Sequence, residues 1–191
     1  MDFRPIAGVV WYAVGRFYEA ADGTLEDAGY FLHLGGVEGP LFTGMPGEAT
    51  ACFTFRSEPF RLEGSVKNGD LSVSLDATGG FSLYFNAEPC GDWSRPESFS
   101  RGKRIATFER LFTAVGTAVG PVGSNLFTAA LRTSEDFHFG GRTWNLGRYM
   151  PRGITQMGLG STTPLPGIPG YSKVTAFVGS AMALGGNVQA P

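Results

Sequence analysis

Charge is scarce in this chain of 191 residues. Asp, Glu, Lys and Arg make up 17% of it, against about a quarter in an average soluble domain. A core or a cavity lining must therefore absorb an unusual share of apolar side chains. Lysine is rarest, with only Lys67, Lys103 and Lys173. Exposed sheet edges are ordinarily blunted by lysine, so a β protein of this composition is expected to remove its edges by closing on itself. The two cysteines, Cys52 and Cys90, and the two histidines make no zinc spacing and no disulfide framework. Cys52 alternates with apolar strand residues and reads as a buried thiol. The patterns G-x-S-x-G, H-E-x-x-H, G-x-x-x-x-G-K-[ST] and G-x-G-x-x-G do not occur, so nothing points to a nucleophile elbow, a zincin helix or a nucleotide loop, and no cofactor is expected. No apolar run reaches the roughly 18 residues of a membrane-spanning helix. The run Ile6–Val14 ends at Gly15-Arg16 without a small-residue cleavage site, and reads as a strand rather than a signal peptide. The expected compartment is the cytoplasm.

What the chain does have is 29 Gly, 16 Phe and 13% aromatic residues, a mixture suited to short strands and tight turns rather than helices. The clearest local pattern is Phe60–Pro89. Phe60, Leu62 and Val66 alternate with polar residues up to Asn68-Gly69, a two-residue hairpin signal. Leu71, Val73, Leu75 and Ala77 then alternate in the opposite sense. That spacing predicts Lys67 opposite Asp70 and Val66 opposite Leu71. A three-residue loop at Thr78-Gly79-Gly80 would place Leu75 against Leu83, giving a three-stranded meander with one apolar face.

Further strands are expected at 6–20, 28–35, 49–56, 126–132, 137–146 and 174–184. Segment 104–115 is ambiguous. Ile105, Phe108, Leu111, Phe112 and Val115 fit a helix face, whereas Thr107, Thr113 and Val115 favour a strand, towards which the reading leans. The Gly/Pro-punctuated stretch 153–170 reads as a long loop and candidate lid. Hairpin-length connections without strand–helix alternation give the fold class: all-β, a single antiparallel β-barrel of about eight to ten strands over residues 1–191, with a short helix near 104–115 as the alternative.

The net charge of −2 gives no general attraction to nucleic acid, but the charge is unevenly spread. Residues 1–100 hold 6 Lys/Arg against 14 Asp/Glu, and residues 101–191 hold 9 against 3. Attraction between the halves, within the fold or across a homodimer, is the plainer account. An Arg-lined anion site in the second half is the functional one. The segment Phe137–Arg152 concentrates His138, Arg142, Trp144, Arg148 and Tyr149, which could hold a carboxylate or phosphate on an apolar ligand or simply stack on one another. His33 alternates onto the side of Phe31; were that strand to line a cavity, His33 would be the internal acid or base and Tyr30 a phenolic donor.

Gly8-Val9-Val10-Trp11-Tyr12 resembles the Gly-x-Trp-Tyr opening of the first lipocalin strand, with one extra residue in the spacing. In outline the chain is also similar to small barrel enzymes of the allene-oxide-cyclase kind. The resemblance implies a small-molecule barrel and carries over no functional residue. The expectation is thus a barrel cavity binding a polyketide-, terpenoid- or lipid-like molecule, with cofactor-independent cyclase or isomerase chemistry. His33 and Tyr30 are the catalytic candidates. Trp11, Phe31, His138, Arg142, Trp144 and Arg148 are the substrate-binding candidates. A non-catalytic carrier or sensor, and an interaction module using Pro164–Pro169, are the alternatives.

Overall fold

The computed structural model describes residues 8–61, 65–68, 71–75 and 79–184. These form the strands β1 (Val9–Glu19), β2 (Leu25–Leu34), β3 (Phe53–Ser57), β4 (Ser65–Asn68), β5 (Leu71–Leu75), β6 (Gly80–Phe85), β7 (Lys103–Val119), β8 (Val122–Ser134), β9 (Phe137–Phe139), β10 (Arg142–Trp144), β11 (Ile154–Ser161) and β12 (Lys173–Ala183). Hydrogen bonds run in the order β7-β6-β3-β2-β1-β12-β11-β8, and β8 returns to β7. Every one of these pairs is antiparallel. These eight strands therefore close into a barrel, and the β4–β5 hairpin extends the sheet from β7, with β4 outermost.

Alternation decides which face is inside. Along β1 the odd positions Trp11 and Ala13 are buried and Tyr12 is exposed. Gly15 lies opposite Gly29 on β2, and both are places where the barrel wall bends close to its contents. A Cβ on Gly29 would stand 2.1 Å from the Val14 carbonyl oxygen, and one on Gly15 would stand 2.4 Å from the Phe177 ring. Only glycine leaves that room.

Segment 104–115 is strand throughout. β7 runs for 17 residues, long enough to take β6 against Lys103–Glu109 and β5 against Val115–Ala118. This length overturns the predicted meander. β5 and β6 do not pair with each other, because they lie end to end along one edge of β7, with Leu75 opposite Val115 rather than Leu83. The β4–β5 register also moves by two residues, bringing Val66 opposite Val73 and Lys67 opposite Ser72. A shift of two preserves which residues share a face. Of the residues in that reading, Leu62, Gly69, Asp70, Ala77 and Thr78 lie outside the described residues.

The stretch 153–170 is not one loop. Ile154–Ser161 is the barrel strand β11, bonded to both β8 and β12. The remaining loop does not cover the barrel mouth. It packs on the outer flank, where Ile168 and Leu165 join Tyr18, Ala28, Phe99, Trp93 and Val174 in a second apolar cluster. That cluster is pinned by polar bonds: Tyr171 donates to Glu26 Oε1 at 2.5 Å, Arg56 pairs with Glu26 at 2.6 Å, and Tyr18 donates to the Trp93 carbonyl at 3.0 Å. Burial raises the phenol pKa of both Tyr18 and Tyr171. At the opposite end from the mouth, the β9–β10 hairpin closes the barrel. Phe137 and Phe139 pack on Phe53 and Phe85, above fully buried Leu146 and Met150. Among the described residues, no helix is long and apolar enough to cross a membrane.

Candidate functional site

The barrel is solid at one end and hollow at the other. Its floor is Trp11, set edge-on to Phe31 at 5.6 Å and to Phe108 at 5.6 Å, with Phe81 stacked on Phe108 at 5.1 Å. Above this floor is a cavity of about 310 Å³, at the lower end of the range for small-molecule sites. Phe17, Phe55, Phe60, Phe127 and Phe177 supply most of its wall, and Glu19 and Lys173, opposite each other on β1 and β12, stand among its lining. The rim on the β7–β8 side is tied by a 2.7 Å hydroxyl–hydroxyl bond between Thr117 and Ser124.

Besides Glu19, Lys173, Thr117 and Ser124, four polar side chains stand among the lining of this chamber. Arg110 on β7 crosses the lumen to Asp27 on β2, with Nη2 donating to Oδ2 at 2.9 Å; the two side chains are only 4% and 9% exposed. The guanidinium carbon lies 4.7, 5.7 and 5.3 Å from the ring centroids of Phe60, Phe81 and Phe127. Cations favour such aromatic faces, and burial magnifies the effect. Burial pushes the Asp27 carboxyl above the usual carboxylate range, against the pull of the adjacent Arg110 charge. The Asp27 amide N–H donates to Ser57 Oγ at 2.8 Å, holding this part of β2 in place.

The other two polar groups are amides. Gln156 Oε1 accepts from the Trp11 indole N–H at 3.3 Å. Asn125 leans over Gly158, where a Cβ would come within 2.5 Å of Asn125 Oδ1; a Cβ on Gly179 would come within 3.1 Å of Gln156 Nε2. Gly158 on β11 and Gly179 on β12 thus leave the space into which these amides fold. Among the described residues, two buried side-chain polar atoms have no hydrogen-bond partner: Arg110 Nη1 and Asn125 Oδ1. Both belong to residues lining this one cavity. Buried polar atoms are nearly always satisfied, and these two are exceptions.

Trp11 and Phe31 are part of this cavity. The other expected site residues stand elsewhere. His33 is exposed on the outside of the barrel, opposite Tyr12. The reason is a β-bulge at Leu32: Ala13 pairs with Phe31 but Tyr12 pairs with His33, so the extra residue inverts the facing and Leu34 turns inward in place of His33. Tyr30 also faces outward, half-buried against Phe42 and Trp93, where burial raises its phenol pKa. His138, Arg142, Trp144 and Arg148 do converge, but on the hairpin that plugs the far end. There His138 bonds Thr143 Oγ1 at 2.9 Å, Arg142 pairs with Glu38 at 2.6 Å, and the buried Trp144 donates to the Phe139 carbonyl at 2.9 Å. Arg148 lies on the exposed side of the turn after it. None of the four lines the cavity. Among the described residues, no cluster of three or more His, Cys, Asp or Glu could hold a metal ion.

No known protein family matches the chain, and neither does any curated protein or solved structure. The eight-stranded barrel is therefore established by its own hydrogen bonding, and the lipocalin-like and cyclase-like likenesses gain no support from relatives. Sequence reasoning passed over Asp27, Arg110, Asn125 and Gln156. One signal was available for Arg110: it is the only Lys or Arg between Ile105 and Leu131, set among Phe108, Leu111 and Phe112. In a strand reading it falls on the same face as Phe108, and a charge on an apolar strand face asks for a buried partner.

Proposed function

We propose that this barrel binds one small, mainly apolar molecule in the Phe-lined cavity, with its polar end directed at Arg110. The observation that carries the reading is the chamber itself, about 310 Å³ at the open end of the barrel, with phenyl rings and the buried Arg110–Asp27 pair among its lining. A barrel needing only stability would fill that space with side chains, because an empty apolar cavity costs about 1 kcal/mol per missing methyl-sized group. Flat aromatic or polycyclic guests suit the surrounding ring faces through offset or edge contacts.

Naphthalene tests the reading. Titrated into the protein, it should shift the indole N–H resonance of Trp11 at the cavity floor, with saturation at one equivalent. Ala118→Trp, on the lining near the rim, should abolish the shift while leaving thermal stability unchanged. No shift in the parent protein, or an undiminished one in Ala118→Trp, would defeat the proposal.

A catalytic version, in which the guest undergoes cofactor-independent cyclisation or isomerisation, is favoured by one observation. Asp27 is a carboxyl inside the cavity whose proton affinity is raised by burial, as an internal acid or base requires. In that version Asp27 takes the role first expected of His33. Turnover of a bound substrate should then fall at least a hundredfold in Asp27→Asn, while guest binding persists.

A further inference from the structure

We infer that the outer face of the barrel carries a second binding site, a groove that takes a free carboxylate with an apolar chain, anchored by Arg16. It stands independently of the cavity reading above.

The groove, of about 620 Å³, runs across the outside of β1, β12 and β11. Its floor follows from register. Leu159 lies opposite Val178, and Val178 lies opposite Val14. These three apolar side chains form a row roughly 10 Å long across the strands. Two positions along β1 from Val14, on the same face, stands Arg16, with alanine opposite it on both sides, Ala176 on β12 and Ala28 on β2. Trp93 borders the groove beside Arg16. Its carbonyl accepts from the Tyr18 hydroxyl at 3.0 Å and its ring packs on Phe99 at 4.8 Å. Towards β8 the border is Pro121 and Val122, and the Thr162 amide donates to the Pro121 carbonyl at 2.9 Å. Leu159 and Val122 are 48% and 51% exposed, apolar surface that a bound chain would cover.

Charge says what kind of chain. Among the described residues, three arginines are less than fully exposed: Arg16, Arg56 and Arg110. Arg56 and Arg110 have carboxylates in Glu26 and Asp27. Among the described residues no carboxylate pairs with Arg16, and its guanidinium carbon sits 4.6 Å from the centre of the Trp93 ring instead. That stacking holds the guanidinium and leaves its N–H edge for an acceptor. Arg16 is also the only charged side chain among the described residues lining the groove. The acid next to Trp93, Asp92, is taken by Ser94 and Arg95. A lone cation beside an apolar floor complements one anion on an apolar chain. A carboxylate accepts two parallel N–H bonds from an arginine and matches its single charge. A phosphate monoester, carrying nearly two charges, would leave part of its charge unbalanced over the apolar row.

Decanoate tests the site, with decanol as the uncharged counterpart and decyl phosphate as the rival anion. Titrated at neutral pH, decanoate should shift the indole N–H resonance of Trp93 and saturate at one equivalent. The Trp11 resonance, which reports on the inner cavity, should stay in place, and Ala118→Trp should not alter the result. Arg16→Gln should weaken decanoate at least about tenfold, as expected for bonds to a charged group, while changing decanol affinity less than about twofold. Leu159→Glu, on the exposed floor, should weaken both compounds. Equal decanoate affinity in the parent and Arg16→Gln, decanol binding as tightly as decanoate, or tighter binding of decyl phosphate would overturn the assignment. So would a decanoate shift at Trp11 with none at Trp93, which would put the carboxylate in the cavity. If naphthalene leaves Trp11 unmoved while decanoate still moves Trp93, the cavity reading falls and the outer site stands.

Discussion

Replacing Arg110 by Met tests the central strut of the barrel. The parent side chain spans the lumen from β7 to β2, forms a salt bridge of 2.9 Å with Asp27 and rests on three phenyl rings. Methionine fills much the same volume and keeps contact with the rings, but leaves the Asp27 carboxylate without its cation. Removing one member of a buried pair costs about 3–5 kcal/mol, a large share of the roughly 5–15 kcal/mol that holds a domain together. The reciprocal Asp27→Leu strands the guanidinium and should cost a similar amount. The double variant strands neither charge. Exchanging a buried pair for apolar groups is often neutral or stabilising, and the forfeited cation–π contacts, at about 0.5–2 kcal/mol each, work the other way. The double variant is therefore expected within about 2 kcal/mol of the parent protein. Urea denaturation with unchanged m-values would measure all four proteins on one scale, and the cycle should return a coupling of about 3 kcal/mol or more. Additive single effects, with a coupling under about 0.5 kcal/mol, would refute the claim that these residues form one buried unit.

The remaining predictions concern the wall and the flank. Gly29→Ala places a methyl 2.1 Å from the Val14 carbonyl and 2.7 Å from the Gly15 Cα, so it should cost about 3 kcal/mol or more; Gly23→Ala, at a turn with φ of 80° and open space around it, should cost only about 1–2 kcal/mol. Thermal melts of the two proteins would separate them. Tyr171→Phe removes the phenol that donates to Glu26 and should cost about 1.5–3 kcal/mol, as for a bond to a charged group, with faster hydrogen exchange over 162–172 as its local signature. His33→Ala, on the outer face beyond the bulge, should change stability by less than about 0.5 kcal/mol and leave naphthalene affinity untouched; a tenfold loss of affinity would place His33 in the site after all.

Local periodicity determined a good deal about this protein. The alternation of Trp11, Ala13 and Phe17 with Tyr12, Val14 and Arg16, the scarcity of lysine, and the density of glycine between apolar runs specify antiparallel strands that must close. Trp11 and Phe31 were legible as interior residues for the same reason, since side-chain facing within an unbroken strand follows from the backbone alone. Tertiary structure decided the rest. The bulge at Leu32 turned His33 outward and Leu34 inward, an inversion visible only once β2 is aligned with β1. The length of β7 decided that β5 and β6 share one edge instead of pairing with each other. Gly158, ambiguous on its own, is a wall position over which Asn125 folds. The site itself joins Asp27 to Arg110, 83 positions apart, across a lumen that exists only when the sheet is closed. Strand facing is a property of neighbouring residues, whereas register, bulges and contacts through the lumen arise from hydrogen bonds and packing between segments distant in the chain, and so no single segment encodes them.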